Sequence, residues 1–104
     1  MSETAQMLSH LPNSGIVHLP GRRFPGIVLQ GDTLSGMYDS ALELLEQARI
    51  GRDEENYCGI LDFAERIHDQ LVHYEEILTK QGLPLPYVKS VAERPVCDGF
   101  DQDA

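Results

Sequence analysis

Residues 62 to 76 carry the side chains of this sequence that are best suited to chemistry or to charge recognition. Acidic and histidine residues follow one another there at steps of three and four: Asp62, Glu65, Asp69, His73 and Glu76. On a helix this spacing places all five on one face, and we call them the acidic stripe. Glu65 and His68 also have the Glu-x-x-His spacing that di-metal carboxylate proteins use on the helices of a bundle.

The orientation of Glu65 and His68 decides between metal binding and protein recognition. Metal ligands in a bundle must project inward, yet Glu65 lies about 120° from the centre of the apolar face on a helical wheel. His68 lies at the border of that face. We therefore expect that this chain binds no metal and no cofactor. We expect instead that the charged face binds a protein partner. A weak metal-dependent enzyme that uses Glu65 and His68 is a less favoured alternative.

No other catalytic pattern accompanies the stripe. The four histidines and two cysteines form no Cys/His signature, and the chain contains no nucleophile elbow. Cys58 and Cys97 lack metal-binding spacing, so we expect free thiols in the cytoplasm. No apolar run approaches the roughly 20 residues that span a bilayer. The sequence thus predicts a binding protein and not an enzyme.

The charge distribution indicates what kind of partner would bind. The net charge is −9, and residues 32 to 80 contain twelve acids against four bases. Such a surface repels nucleic acid and anionic membranes, so we expect neither as a partner. A basic protein would instead be attracted to the acidic stripe. Arg22 and Arg23, in a slightly basic N-terminal region, would form a second contact with that partner.

Two amphipathic helices are predicted to position the stripe. The first covers about residues 33–50, and its apolar residues recur at steps of three and four, with Leu42 and Leu44 widening the face: Leu34, Met37, Tyr38, Ala41, Leu45 and Ala48. The second covers about residues 53–81, with Asp53 as its cap and Gly82 as its stop. Because their connection is short, the helices should pack antiparallel.

The segments before the helices are predicted to be less regular. Residues 1–14 should form a flexible arm. Strands at about residues 15–19 and 24–30 indicate a short β-hairpin or an extended segment. The sequence leaves open whether these strands pair within one chain or across a dimer.

The segments after the helices complete the predicted fold. Alternating prolines in residues 83–88 favour an extended segment against the helices, and the acidic residues 89–104 should form a disordered tail. The expected fold is mainly α (α+β), with a single compact domain over residues 15–88. A homodimer would add to the stability of so small a core.

The sequence also resembles two groups of bacterial proteins. Residues 21–34, which read GRRFPGIVLQGDTL, and the later segments His73-Tyr74-Glu75 and Leu83-Pro84-Leu85-Pro86-Tyr87 resemble small bacterial proteins of uncharacterised function. The Arg-Phe-Pro-Gly element followed by paired helices is similar to immunity proteins of bacterial toxin systems. This second resemblance implies that the chain neutralises a cognate toxin by occlusion, and it carries over no catalytic residue.

A small regulatory or ligand-binding protein is the alternative function. Its pocket would lie between the β-hairpin and the helices and would be lined by four aromatic residues: Phe24, Tyr38, Tyr57 and Tyr74. A bound small molecule would distinguish it from a protein-binding module. The favoured expectation is an immunity protein that captures a basic toxin through the acidic stripe.

Overall fold

The computed structural model describes residues 4–9 and 14–96, which form a small sheet followed by two packed helices. The antiparallel sheet has the order β1-β2-β3, with strands β1 Gln6–Ser9, β2 Ser14–His18 and β3 Gly26–Leu29. The helices are α1 Gly31–Ile50 and α2 Glu54–Gln81, and one 3-10 turn follows at Val91–Glu93. The mainly helical α+β fold predicted from the sequence is confirmed.

The hairpin of β2 and β3 forms within one chain. Ile16 faces Ile27, and Val17 faces Gly26. In the loop that joins the strands, Gly21 adopts a positive φ of 79°, a conformation that glycine takes without steric cost. Both strands lie within two residues of their predicted ends.

Strand β1 corrects the prediction that residues 1–14 form a flexible arm. Gln6 pairs with His18 and Met7 with Val17, and the register then shifts before Ser9 meets Ile16. Three of the four residues of β1 are exposed, so backbone pairing and not side-chain burial holds the strand. A strand whose side chains are mostly exposed lacks the alternation of apolar and polar residues by which a strand is predicted from sequence. The remaining parts of the predicted arm, residues 1–3 and 10–13, lie outside the described residues.

Local capping fixes both ends of α2 where the sequence predicted them. The Asp53 carboxylate accepts a hydrogen bond from the backbone N–H of Asn56 at 3.2 Å. At the other end Gly82 adopts a left-handed φ of 69°, and the N–H of Leu83 donates to the carbonyl of Leu78 at 2.9 Å. The helix therefore starts and stops through contacts between residues close in sequence.

The two helices pack antiparallel through a core of small, aliphatic and aromatic side chains. Gly31 of α1 lies so close to Tyr74 of α2 that a methyl group at Gly31 would overlap the ring. Further along α1, the ring of Tyr38 lies 6.1 Å from that of His68. As the contacting residues move toward the C-terminus of α1, their partners move toward the N-terminus of α2, so the helices run antiparallel. Neither helix in the described ranges combines the length and the apolar character that a membrane span needs.

The segment after α2 corrects the prediction of a disordered tail over residues 89–104. Residues 83–96, which we call the strap, fold back along the helices and cover one of the two grooves between them. Val91 is buried in the helical core, and Tyr87 and Val96 pack against its edge. These apolar anchors are single residues in a polar segment, so no periodic pattern reveals them. Residues 97–104 lie outside the described residues.

Candidate partner-binding face

The acidic stripe lies on the solvent-exposed side of α2. All five of its side chains are exposed. At 1.5 Å per residue, the row from Asp62 to Glu76 is about 21 Å long. The opposite side of the same helix buries Ala64, Ile67 and Leu71. The helix thus presents a continuous row of polar, mostly acidic groups, at the positions that the sequence predicted.

A groove of about 570 Å³ runs beside the N-terminal half of the stripe. It is lined by three stripe residues and four neighbours: Asp62, Glu65, Asp69, Arg66, His68, Pro95 and Val96. Because Pro95 and Val96 come from the strap, the groove joins carboxylates to an apolar edge. Sequence reasoning missed this edge when it placed both residues in a disordered tail. Two adjacent apolar residues, Pro95 and Val96, in an otherwise polar segment were the available sign that this segment packs against the helices.

Basic neighbours neutralise the stripe only weakly. The Nε of Arg66 lies 3.1 Å from the Asp62 carboxylate, and the Nδ1 of His68 lies 3.2 Å from that of Asp69. The side chains of Arg66 and Asp62 are 78% and 67% exposed, so water screens their attraction. A cation from a partner can therefore replace either neighbour at little cost.

The two arginines predicted as a second contact lie in the loop between β2 and β3. The guanidinium of Arg23 stacks over the exposed ring of Phe24 at 5.2 Å from its centroid. The imidazole Nε2 of His18 lies 2.7 Å from the carbonyl oxygen of Arg22 and can donate to it, which ties the loop to β2. In the described ranges, no hydrogen bond or ion pair joins Arg22 or Arg23 to the acidic stripe. The structure therefore presents two separate charged surfaces.

Arg94 anchors the strap to α1. Its guanidinium lies 5.3 Å from the ring centroid of Tyr38 and 5.2 Å from that of Tyr87. It donates to the Asp39 carboxylate at 2.7 Å and to the carbonyl of Ser35 at 3.3 Å. The Tyr38 hydroxyl in turn donates to the carbonyl of Arg94 at 2.6 Å. Ion pairing and cation–π attraction hold the strap and thereby fix the edge of the groove.

Glu75 ties the strap to α2. Its Oε2 accepts hydrogen bonds from the Tyr87 hydroxyl and from the backbone N–H of Val91, both at 2.8 Å. Burial, followed by the hydrogen bond to Glu75, raises the pKa of Tyr87 above its usual value. Burial likewise raises the pKa of Tyr38. Both hydroxyls therefore remain protonated donors at neutral pH.

The residues considered for a metal centre are not arranged as one. Glu65 is exposed, whereas His68 is 33% exposed and lies beside Asp69. Within residues 4–9 and 14–96, no cluster of three or more His, Cys, Asp or Glu residues is placed to hold a metal ion. Cys58 is an exposed free thiol, and Cys97 lies outside the described residues.

The four aromatic residues of the alternative ligand pocket are far apart. Phe24 is 72% exposed in the hairpin loop. Tyr57 and Tyr74 are 17 residues apart on α2, or about 25 Å along its axis. Tyr38 is buried in the helical core. Side chains spread in this way do not line a single cavity.

Comparisons with known proteins place the chain in a family but assign it no activity. A comparison with curated proteins finds no match, and a comparison with solved structures finds none either. One family matches residues 1–87, which include the sheet, both helices and the first part of the strap. The predicted resemblance to uncharacterised proteins is confirmed to this extent. The chain belongs to DUF6959, a family of unknown function.

Proposed function

We propose that the chain is a non-catalytic protein-binding module of the cytoplasm, and more specifically an immunity protein that neutralises a cognate bacterial toxin. The acidic stripe and the groove beside it would occlude a basic surface of that toxin. The observation that supports this proposal best is the row of exposed carboxylates bordered by Pro95 and Val96. Carboxylates attract a basic partner from a distance, and the apolar edge favours close contact.

Charge would act mainly on the rate of capture. The net charge of −9 attracts a basic protein before contact, which raises the rate of association. At the surface, cations of the toxin would replace Arg66 beside Asp62 and His68 beside Asp69. Both existing pairs are exposed, so their loss costs little.

The hairpin loop would supply a separate contact. Arg22, Arg23 and Phe24 are exposed together, and arginine and aromatic residues are enriched at the centres of protein interfaces. This loop would meet an acidic or apolar part of the same partner. A small-molecule function is not favoured, because the aromatic residues that would form its pocket are separated.

Co-expression with the product of an adjacent gene tests the immunity function directly. We expect that product to stop growth of a host when it is expressed alone, and growth to recover when this chain is present. A growth measurement with and without the chain provides the readout. A toxic neighbour whose effect the chain fails to relieve, or a neighbour without toxicity, would contradict the proposal.

Charge reversal tests whether the acidic stripe binds that partner. The double variant Glu65→Lys with Glu76→Lys should slow association roughly tenfold at low salt, because the steering field weakens. High salt should reduce the difference, since it screens both proteins. Stopped-flow or surface binding kinetics over a salt series would measure the effect.

A matched control distinguishes the effect of charge on the acidic stripe from the effect of the net charge of the protein. Glu43→Lys with Glu54→Lys changes the same number of glutamates to lysine on the helices but outside the stripe. We expect a clearly smaller loss of rate in this control. Equal losses in the two double variants would show that net charge alone matters and would remove the stripe from the proposal.

A further inference from the structure

The two helices form two grooves, and the structure covers only one of them. The strap packs over the first groove with Val91 and Tyr87. Large apolar side chains on the other side of the helix pair stay exposed by 40% to 52%: Met37, Leu44, Phe63 and Ile77. We call this uncovered side the open face. Met37 and Leu44 belong to the apolar face that the sequence predicted for the first helix.

Helical geometry places these residues opposite the strap. On α1, Met37 lies about 100° to one side of the buried Tyr38, whereas Asp39, which binds Arg94 of the strap, lies about 100° to the other. On α2, Phe63 lies about 80° to one side of the buried Leu71. Val72, which borders the strap, lies on the other side. The strap and the open face therefore occupy opposite flanks of the same helix pair.

No carboxylate of α1 lies on the open face, and on α2 the acid nearest to it around the helix, Glu55, lies about 40° from Ile77. All four acids of α1 fall on the flank that the strap covers or beyond it: Asp32, Asp39, Glu43 and Glu46. Neutral residues stand beside the exposed apolar ones, Ser40 and Gln47 on α1 and Gln70 on α2. An acidic protein of net charge −9 repels its own copies at most of its surface. The open face is the surface through which a second copy can approach without that repulsion.

We propose that the open face is a homodimer interface at which two helix pairs form a four-helix bundle. The 20 residues of α1 give a contact about 30 Å long, and two adjacent helices make it about 20 Å wide. This buries roughly 600 Å² per chain, and the total of about 1,200 Å² exceeds the roughly 1,000 Å² expected of a specific interface. The acidic stripe lies on another side of α2, so the dimer presents two copies of it.

The oligomeric state of the full chain tests this interface. By multi-angle light scattering and sedimentation, the wild-type chain should have twice its monomer mass of 11.6 kDa. The variant Leu44→Glu should have the mass of one chain, because it places a charge in the centre of the apolar contact. Leu44 is already 51% exposed in the single chain, so this variant should retain its helical circular dichroism.

The same substitution elsewhere provides the control. Leu19 is 49% exposed in the hairpin region, so Leu19→Glu introduces an equal charge at equal exposure away from the open face, and it should remain dimeric. The melting temperature should rise with protein concentration for the wild type and for Leu19→Glu but not for Leu44→Glu. A wild type with the mass of one chain, or a Leu44→Glu variant that stays dimeric, would overturn the proposal.

Discussion

At the scale of single residues, Arg94 should contribute most directly to the attachment of the strap. Its side chain is only 10% exposed and combines an ion pair, a hydrogen bond to the Ser35 carbonyl and contacts with two tyrosine rings. We expect Arg94→Ala to lower the free energy of unfolding by about 2 kcal/mol. A larger loss is not expected, because Nη2 has no hydrogen-bond partner within the described residues. Urea unfolding measures the change.

An exposed arginine supplies the comparison for this prediction. Arg66 is 78% exposed, and its ion pair with Asp62 is screened by water. Arg66→Ala should therefore change the free energy of unfolding by less than about 0.5 kcal/mol. Similar losses in the two variants would show that the contacts of Arg94 do not stabilise the fold.

At the scale of elements, the sequence predicted the helices and their ends, because local patterns of residues determine both. Periodic apolar residues identified both helices, and the capping residues Asp53 and Gly82 located the ends of α2 to within a residue. The positions of the acidic stripe followed from the same period. Strand β1 depends instead on backbone pairing with β2, and the strap on partners distant in sequence. Arg94, for example, contacts Ser35 across 59 residues, and no local pattern encodes such a contact.

The candidate site was accordingly predicted only in part. Its carboxylates could be placed because all of them belong to one helix. Its apolar edge could not, because Pro95 and Val96 reach the groove only through the fold of the strap. The exposure of Met37 and Leu44 was also missed, since a helical wheel shows which face is apolar but not which part of it a neighbour covers.

The strap should loosen at alkaline pH. Folding raises the pKa of Tyr87 above its ordinary value of 10.0, chiefly through burial. The stability that this provides is complete below pH 10.0 and is lost as the pH rises above it, because the unfolded chain ionises first. We therefore expect the free energy of unfolding to fall above pH 10.0, as denaturant unfolding over a pH series would show.

Removal of the hydroxyl group identifies the source of this effect. Tyr87→Phe should show a smaller alkaline fall than the wild type, because one of the groups that cause it is gone. Some fall should persist, since burial also raises the pKa of Tyr38. An identical pH dependence in Tyr87→Phe and the wild type would exclude Tyr87 as a source.

At the scale of the whole molecule, the sheet is less firmly held than the helix pair. Among the described side chains of the sheet, Val17 alone is buried, while the helices enclose a continuous core. The sheet also makes little contact with α1 and α2. The molecule therefore combines a well-packed helical unit with a weakly attached sheet.

Hydrogen exchange should distinguish the sheet from the helix pair. Backbone amides of residues 14–29 should exchange faster than those of residues 38–45 and 60–71, because opening the sheet exposes little apolar surface. Mass spectrometry of proteolytic peptides would measure both rates in one sample. Equal protection in the sheet and the helices would show that they unfold as one unit.

The position of the strap in the chain has a consequence for synthesis. Residues 83–96 follow both helices, so a ribosome completes the helix pair before it releases the segment that covers the first groove. Until the strap packs, the chain exposes the core positions that Val91 covers as well as the open face. Apolar surface exposed on both sides of the helix pair favours aggregation of chains whose strap has not yet packed.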